Sequence, residues 1–319
     1  MTTFLTCASH SPLLHCFAKP PTDWDALQVA FEQRREAITQ FNPDLVVAFG
    51  SDHFNGFFMK MMPSFCVGTA ARATGDIGGY EGELNVPEAD AVAMVEHLRA
   101  EDIDPAVSFR MTIDHAFSQT IHEMCGSLDA VPVIPVFINC ITTPFVPFRR
   151  TRMLGESIGR WAKASGKRVL LLGSGGMSHH PTRYYPAKGE GDPDVEAWQL
   201  SGGDDPGSMT PAQWLERLEV MHHEGAEMIV RGERTAKDMR LNEESDRKFL
   251  QLFTSGKLDG FDSWDQYKLV EEGGIGSMEL HTWIAAAAAH ETAGGDKPEL
   301  DFYTVAPELG IACGLVHAG

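Results

Sequence analysis

Short, continuous apolar runs alternate along the chain with longer stretches whose apolar positions recur every three or four residues. Thr3–Ala8, Leu45–Gly50, Ala106–Arg110, Val131–Asn139 and Arg168–Gly173 are of the first kind and predict strands, several of them buried on both faces. Asp23–Gln40, Pro87–Ala100 and Thr151–Ala164 are of the second kind and predict helices. Thr22 is available to cap the first of these, acids occupy its opening turn, and proline is tolerated at the first position of the second. Beyond Gly173 the texture changes. Arg183–Pro211 is rich in Gly, Pro and Asp and reads as a long loop; helical patterns then cover Pro211–Ser255 and Gly276–His290, before a late strand at Asp301–Ala306. Strands alternating with helices predict an α/β layered fold, a mixed central sheet flanked by helices with its active site at the carboxyl ends of the strands. No internal repeat or linker breaks the pattern, so residues 1–319 are expected to form a single domain.

Charge narrows the choice of partner. The chain carries a net charge of −19. So acidic a surface repels phosphate backbones and anionic headgroups, which argues against nucleic acid and membrane as partners. If the substrate is itself an anion, the site must supply positive charge locally, from a metal or a placed arginine. The six cysteines are scattered without a CxxC pair, a pattern that suits reduced thiols in the cytoplasm. The N-terminal run has no basic region and is broken by His10, Ser11 and Pro12, unlike a signal peptide, and the longest apolar candidate, Ile284–Ala289, is far too short to span a bilayer.

Candidate chemistry lies in the histidines. His10, His53, His115 and His179 each follow the carboxyl end of an expected strand, where open α/β sheets bind ligands. One loop histidine is most simply satisfied by backbone; four in equivalent places point to a shared pocket. Imidazole is both a common metal ligand and a neutral-pH acid or base. Two histidines with one carboxylate make the facial triad of non-haem Fe(II) oxygenases, which leaves open positions for substrate and O2. Spacing does not choose the carboxylate among Asp52, Asp114, Glu123, Glu224, Glu243, Glu244 and Glu279; Asp52 and Asp114, directly before histidines, suit orienting or loop-capping roles. Other signals have blander readings. His222, His223 and Glu224 fall in a helical pattern and are expected on a solvated face, and Arg149, Arg150 and Arg152 on a solvated or salt-bridged one rather than at a substrate carboxylate. His122-Glu123 lacks the second histidine of a zincin. Gly173, Gly175 and Gly176 fit no phosphate-loop motif and suit a tight turn beside the pocket, and Ser174 lacks the frame of a nucleophile elbow.

Six motifs occur in the order seen in one family: SHSP (Ser9–Pro12), SDHFNGFF (Ser51–Phe58), IDHAF (Ile113–Phe117), RTRMLGESIGRW (Arg150–Trp161), VLLLGSGGMSHHP (Val169–Pro181) and GSMELHTWIAAAAA (Gly276–Ala289). In these the chain resembles the class III extradiol ring-cleaving dioxygenases. The resemblance implies a bacterial catabolic enzyme, a homo-oligomer that opens a catechol ring with O2 and non-haem Fe(II). It implies His10, His53 and Glu279 as iron ligands, His115 as proton donor and His179 as the accepting base, and a catechol with a short carboxylated side chain at its 3-position. The run LNEESDRKFL (Leu241–Leu250) departs from the family's tryptophan–aspartate pattern and is expected to touch the pocket wall or the packing, leaving the iron alone; Tyr184–Gln213 does not align. A metal-dependent hydrolase would use the same ligands without O2, and a binding module would have no need of both proton-transfer histidines.

Overall fold

A computed structural model describes residues 2–319. Its main sheet takes strands from both ends of the chain. In chain order the strands are β1 (Thr3–Ala8), β2 (Leu45–Gly50), β3 (Phe65–Gly68), β4 (Ala71–Thr74), β5 (Glu81–Glu83), β6 (Ala106–Ser108), β7 (Met111–Ile113), β8 (Val133–Ile138), β9 (Val169–Ser174), β10 (Glu299–Ala306) and β11 (Ile311–Ala318). Eight of them form one sheet in the order β10-β11-β1-β9-β2-β8-β3-β6, and β5-β4-β7 form a small second sheet. The central run β1-β9-β2-β8 is parallel, whereas β11 pairs antiparallel with β1, and β3 antiparallel with β8. The sheet is therefore mixed, as expected.

Helices α1 (Trp24–Phe41), α2 (Glu88–Ala100), α3 (His115–Cys125), α4 (Phe148–Ser165), α5 (Pro193–Ser201), α6 (Pro211–Val230), α7 (Glu243–Phe253), α8 (Gln266–Gly273) and α9 (Leu280–Ala293) complete the regular structure. Alternate strand residues feed the two faces of the sheet, as the pleat requires. Leu5, Cys7, Leu45, Val47 and Phe49 pack under α4 and α9, while Phe4, Ala8, Val46 and Ala48 pack under α1 and α3. The alanine run Ala285–Ala289 is explained by α4. A Cβ on Gly155 would stand 2.2 Å from the Ala285 carbonyl oxygen, and one on Gly159 2.3 Å from that of Ala289. Only small residues allow so close a crossing, and the crossing fixes α9, at whose amino end Glu279 stands.

Several expectations change. Thr22 does not cap α1; Asp23 holds the cap position, and its side chain makes no cap hydrogen bond. Pro87 is the residue before α2. The strand expected over Ala106–Arg110 ends at Ser108, because the chain turns at Phe109–Arg110; a separate strand, β7, then pairs with β4 in the small sheet. His115 thus follows a strand of the small sheet and enters at the first residue of α3, capped by the Asp114 side chain. The Arg183–Pro211 loop contains α5, and β3, β4, β5, β11, α3 and α8 answer to no expected element. Among the described residues, no helix is long and apolar enough to cross a membrane.

Candidate active site

His10, His53, His115 and His179 line one cavity, as the resemblance implies, and Glu279 lies beneath it. Three of the histidines come from loops that leave β1, β2 and β9 on the same sheet edge; His115 comes from the amino end of α3. His10 and His53 present their Nε2 atoms to Glu279 Oε1 at 3.4 and 3.2 Å. Each imidazole is fixed through its other nitrogen. His10 Nδ1 lies 3.0 Å from Ser174 Oγ, and His53 Nδ1 lies 3.2 Å from Asp114 Oδ2, which also accepts the His53 backbone N–H at 2.6 Å. Asp114 orients His53 and caps α3 at once. Asp52 closes the following loop by accepting the N–H groups of Asn55, Gly56 and Phe57.

Glu279 is fully buried, and a buried carboxylate without a cation is costly. Against that burial, His10, His53 and His179 hold its carboxyl well below the usual range. Its Oε2 accepts the Gly176 N–H at 2.7 Å and its Oε1 the Ser51 hydroxyl at 3.0 Å. His10 Nε2 is buried and makes no hydrogen bond among the described residues. In an octahedral site with ~2.1 Å bonds, adjacent ligand atoms stand about 3.0 Å apart, close to what is seen around Glu279 Oε1. The donor set therefore fits a divalent cation. His10, His53 and His115 also offer ligand atoms within 4.8 Å of one another, as do Asp76, Asp114 and His115.

The other two histidines differ in what stands behind them. His179 Nδ1 donates to the Met177 carbonyl at 2.9 Å. A carbonyl only accepts, so the proton is fixed on Nδ1 and Nε2 is a bare lone pair, 3.9 Å from Glu279 Oε2. Burial pushes this imidazole below the ordinary histidine range, which keeps it neutral and able to accept. Its ring is seated against Gly176 and Gly276: a Cβ at either would stand 2.4 or 2.0 Å from His179 Cε1. The glycine-rich turn after β9 makes room for an imidazole. His115 Nδ1 instead meets a carboxyl, Asp76 Oδ2, at 2.5 Å. Burial and the neighbouring Asp114 push Asp76 well up, while burial and His53 push His115 well down. The pair as a whole is then neutral and holds two protons. On whichever side of the short bond the first resides, the second sits on His115 Nε2, which is buried and without a hydrogen-bond partner among the described residues.

Tyr184, Tyr185, His222 and Arg234 line the same cavity. Tyr185 reaches within 4.9 Å of the His53 ring. The placement of His222 corrects the solvated-face reading: it is buried, its Nδ1 donates to the Leu218 carbonyl at 2.7 Å, and burial pushes it to about 3. Its neighbour His223 lines a shallow surface groove with Glu224, so the helix does turn one histidine in and the next out. Arg152 is paired with Asp262 and Glu156, while Arg149 and Arg150 are exposed, as a solvated or salt-bridged face requires. In the divergent Leu241–Leu250 run, Asp246 accepts the Ser178 N–H and hydroxyl at 2.8 and 2.6 Å, supporting the turn that carries His179.

Comparison with known proteins agrees with this picture. Residues 4–307 match the family described as the catalytic LigB subunit of aromatic ring-opening dioxygenase. A 2,3-dihydroxyphenylpropionate/2,3-dihydroxicinnamic acid 1,2-dioxygenase from Mycobacterium sp. (strain MCS) is 39% identical over 96% of this chain and 95% of its own. An enzyme of the same name from Escherichia coli O139:H28 is 40% identical over 97% and 96%. An uncharacterised protein from Escherichia coli K12 shares the fold, with a TM-score of 0.51 at 12% identity over 99% of both chains. The chain belongs to the LigB family of metal-dependent aromatic ring-opening dioxygenases, and it is a ring-cleaving oxidoreductase.

Proposed function

We propose that this protein opens a 3-substituted catechol next to its diol, with Fe(II) held by His10, His53 and Glu279 and with O2 as co-substrate. The observation that carries the reading is the convergence of His10 Nε2 and His53 Nε2 on Glu279 Oε1, within a buried site where His10 Nε2 makes no hydrogen bond among the described residues. His115 is the alternative third ligand. It is less suited, because its ring stacks on His53 at 4.3 Å and 19° and is tied to Asp76, and because Glu279 would be left without a balancing cation.

When bound, Fe(II) supplies Lewis acidity toward the two catechol oxygens and an electron path to O2. The remaining tasks belong to side chains. His179, bare at Nε2, takes a hydroxyl proton as the catechol binds. His115, protonated at Nε2 and backed by Asp76, gives a proton to the oxygen released as the O–O bond breaks. The substrate named for the relatives, 3-(2,3-dihydroxyphenyl)propionate, is the one we assign here, and the product is a ring-opened hydroxy-oxo-dienoate. The cavity shares His53, Pro181 and Tyr185 with a wider neighbouring cleft of about 740 Å³. We further assign the whole of residues 1–319 to one catalytic domain of a cytoplasmic homo-oligomer.

The test is anaerobic loading with Fe(II) followed by assay on a panel of substituted catechols. Metal in equimolar amount, uptake of one O2 per ring and a yellow dienoate are expected. A muconate product, from cleavage between the hydroxyls, would overturn the reading, as would turnover without O2 uptake, which fits a metal hydrolase.

A further inference from the structure

Among the described residues, Arg234 is a buried cation with no carboxylate within ion-pair distance, in a protein that has acids to spare. It is 9% exposed, and its one side-chain hydrogen bond among the described residues runs from Nη1 to Tyr184 Oη at 2.5 Å. The nearby arginines are spent differently: Arg231 pairs with Glu233 and Glu227, and Arg183 with Glu224. Leaving a guanidinium buried and unpaired in a chain of net charge −19 is costly unless something else brings the anion.

The surroundings hold this cation at the cavity wall. Tyr184 is clamped between two partners, stacking on His222 at 3.8 Å and 12° and lying under the guanidinium at 5.0 Å. Helix α6 pays for the arrangement with a glycine in its interior: a Cβ on Gly225 would stand 1.9 Å from Tyr184 Oη and 3.3 Å from Arg234 Nη1. Arg234 lines the same cavity as the four catalytic-end histidines, with Leu309 and Ile311 as apolar wall beside it.

We infer that Arg234 is the specificity-determining residue of this site, receiving the side-chain carboxylate of the catechol while the diol lies at the histidine end. The inference rests on the proposed function and adds to it the group that selects an anionic substrate. Tyr184 takes one edge of the guanidinium, so the free edge is directed to the carboxylate by exclusion. Pairing there replaces water with a charge-assisted fork of hydrogen bonds. His222, kept neutral by burial, adds no competing charge.

The experiment compares 3-(2,3-dihydroxyphenyl)propionate with its carboxamide and with 3-methylcatechol, on the Fe(II)-loaded wild type and on Arg234→Gln. Dissociation constants are measured calorimetrically without O2, and kcat/KM is measured with O2. In the wild type the carboxamide should bind roughly 10- to 100-fold more weakly than the acid, the loss typical of a hydrogen-bonded charge. In Arg234→Gln the preference for the acid over 3-methylcatechol should fall by a similar factor, and Arg234→Lys should restore part of it. If the acid binds in this way but no ring is opened, the proposed function fails and the anion site stands. If rings are opened but acid and carboxamide bind within about threefold of each other, the assignment of Arg234 fails and the proposed function stands. The wild-type comparison decides the matter even if the Gln variant does not fold. Failure of the wild type to bind the acid at all also overturns the assignment.

Discussion

The two ends of the cavity are built by different means. At the diol end, side chains come from turns directly beyond β1, β2 and β9, so the sheet sets their spacing and each needs only local support: Ser174 behind His10, Asp114 behind His53, the Met177 carbonyl behind His179. At the far end, Tyr184, His222 and Arg234 come from a loop, a helix interior and the turn after that helix, and they hold one another. A rigid sheet edge suits chemistry that needs sub-ångström placement, while helices and loops laid over it suit the choice of substituent. Losses at the first end should fall on metal and turnover, and losses at the second on binding.

The largest effect should follow removal of a ligand. His10→Ala and Glu279→Gln should each lose the iron and, with it, measurable turnover, since only two protein ligands remain. Elemental analysis after anaerobic loading checks this, and full occupancy in either variant would sink the ligand assignment. His115→Gln and His179→Gln should keep the iron and bind catechol, yet turn over roughly 10²- to 10⁴-fold more slowly. They should also differ from each other. Without the acceptor at His179, loss of the catechol proton limits the rate, so raising pH should restore part of it. Without the donor at His115, raising pH should not help. Identical pH–rate profiles for the two variants would mean that the contrast between the Met177 carbonyl and the Asp76 carboxyl has no catalytic meaning.

The contrast between the ends also explains what could be read in the sequence. Thr3–Ala8 and Leu45–Gly50 are seen to the residue because both faces of those strands are buried, leaving unbroken apolar runs between polar turns. His10, His53 and His179 stand within a few residues of such runs, so their place at the sheet edge is legible. The reading of His115 reached the right cavity by the wrong route, since the switch from β6 to β7 depends on pairing with β4, which no local pattern announces. Strand β11 was hidden in the same way: its partners are β1 and β10, and β1 lies at the opposite end of the chain. His222 and Arg234 could not be found from periodicity, because which face of α6 is covered depends on Tyr184, in a segment that carries none of the family's motifs. One signal was available. A glycine inside a long helical pattern, Gly225, marks a close approach.

That glycine gives a smaller effect that tests the far end alone. Gly225→Ala should improve the intrinsic helix propensity of α6 by about 1 kcal/mol, yet drive Tyr184 away from Arg234. The net expectation is a rise of severalfold in KM for the carboxylated catechol, with iron content and kcat little changed. A comparable fall in kcat would show that the two ends are coupled.

The last effect belongs to a support of the diol end, and it is one of stability with little change in turnover. Asp246 is buried beneath the turn that carries His179, accepting from Ser178 N, Ser178 Oγ and the Tyr303 hydroxyl, the last at 2.9 Å. Burial outweighs these hydrogen bonds and pushes its carboxyl up to about 6, from the ordinary 3.8. In the unfolded chain the group ionises first, so between pH 4 and 6 the folded state holds the proton and the unfolded state does not. The contribution to stability is then fully present below the unfolded value and is lost as pH rises through about 6. A shift of this size corresponds to roughly 3 kcal/mol across the window. Asp246→Asn keeps an acceptor for Ser178 N and cannot ionise, so its stability should lack this decline. Denaturation midpoints measured from pH 4 to 8 for both proteins should converge at the acid end and separate above pH 6, with the Asn variant the more stable. Parallel curves would show that Asp246 ionises without cost, and that the turn beneath His179 is more open to water than its burial implies.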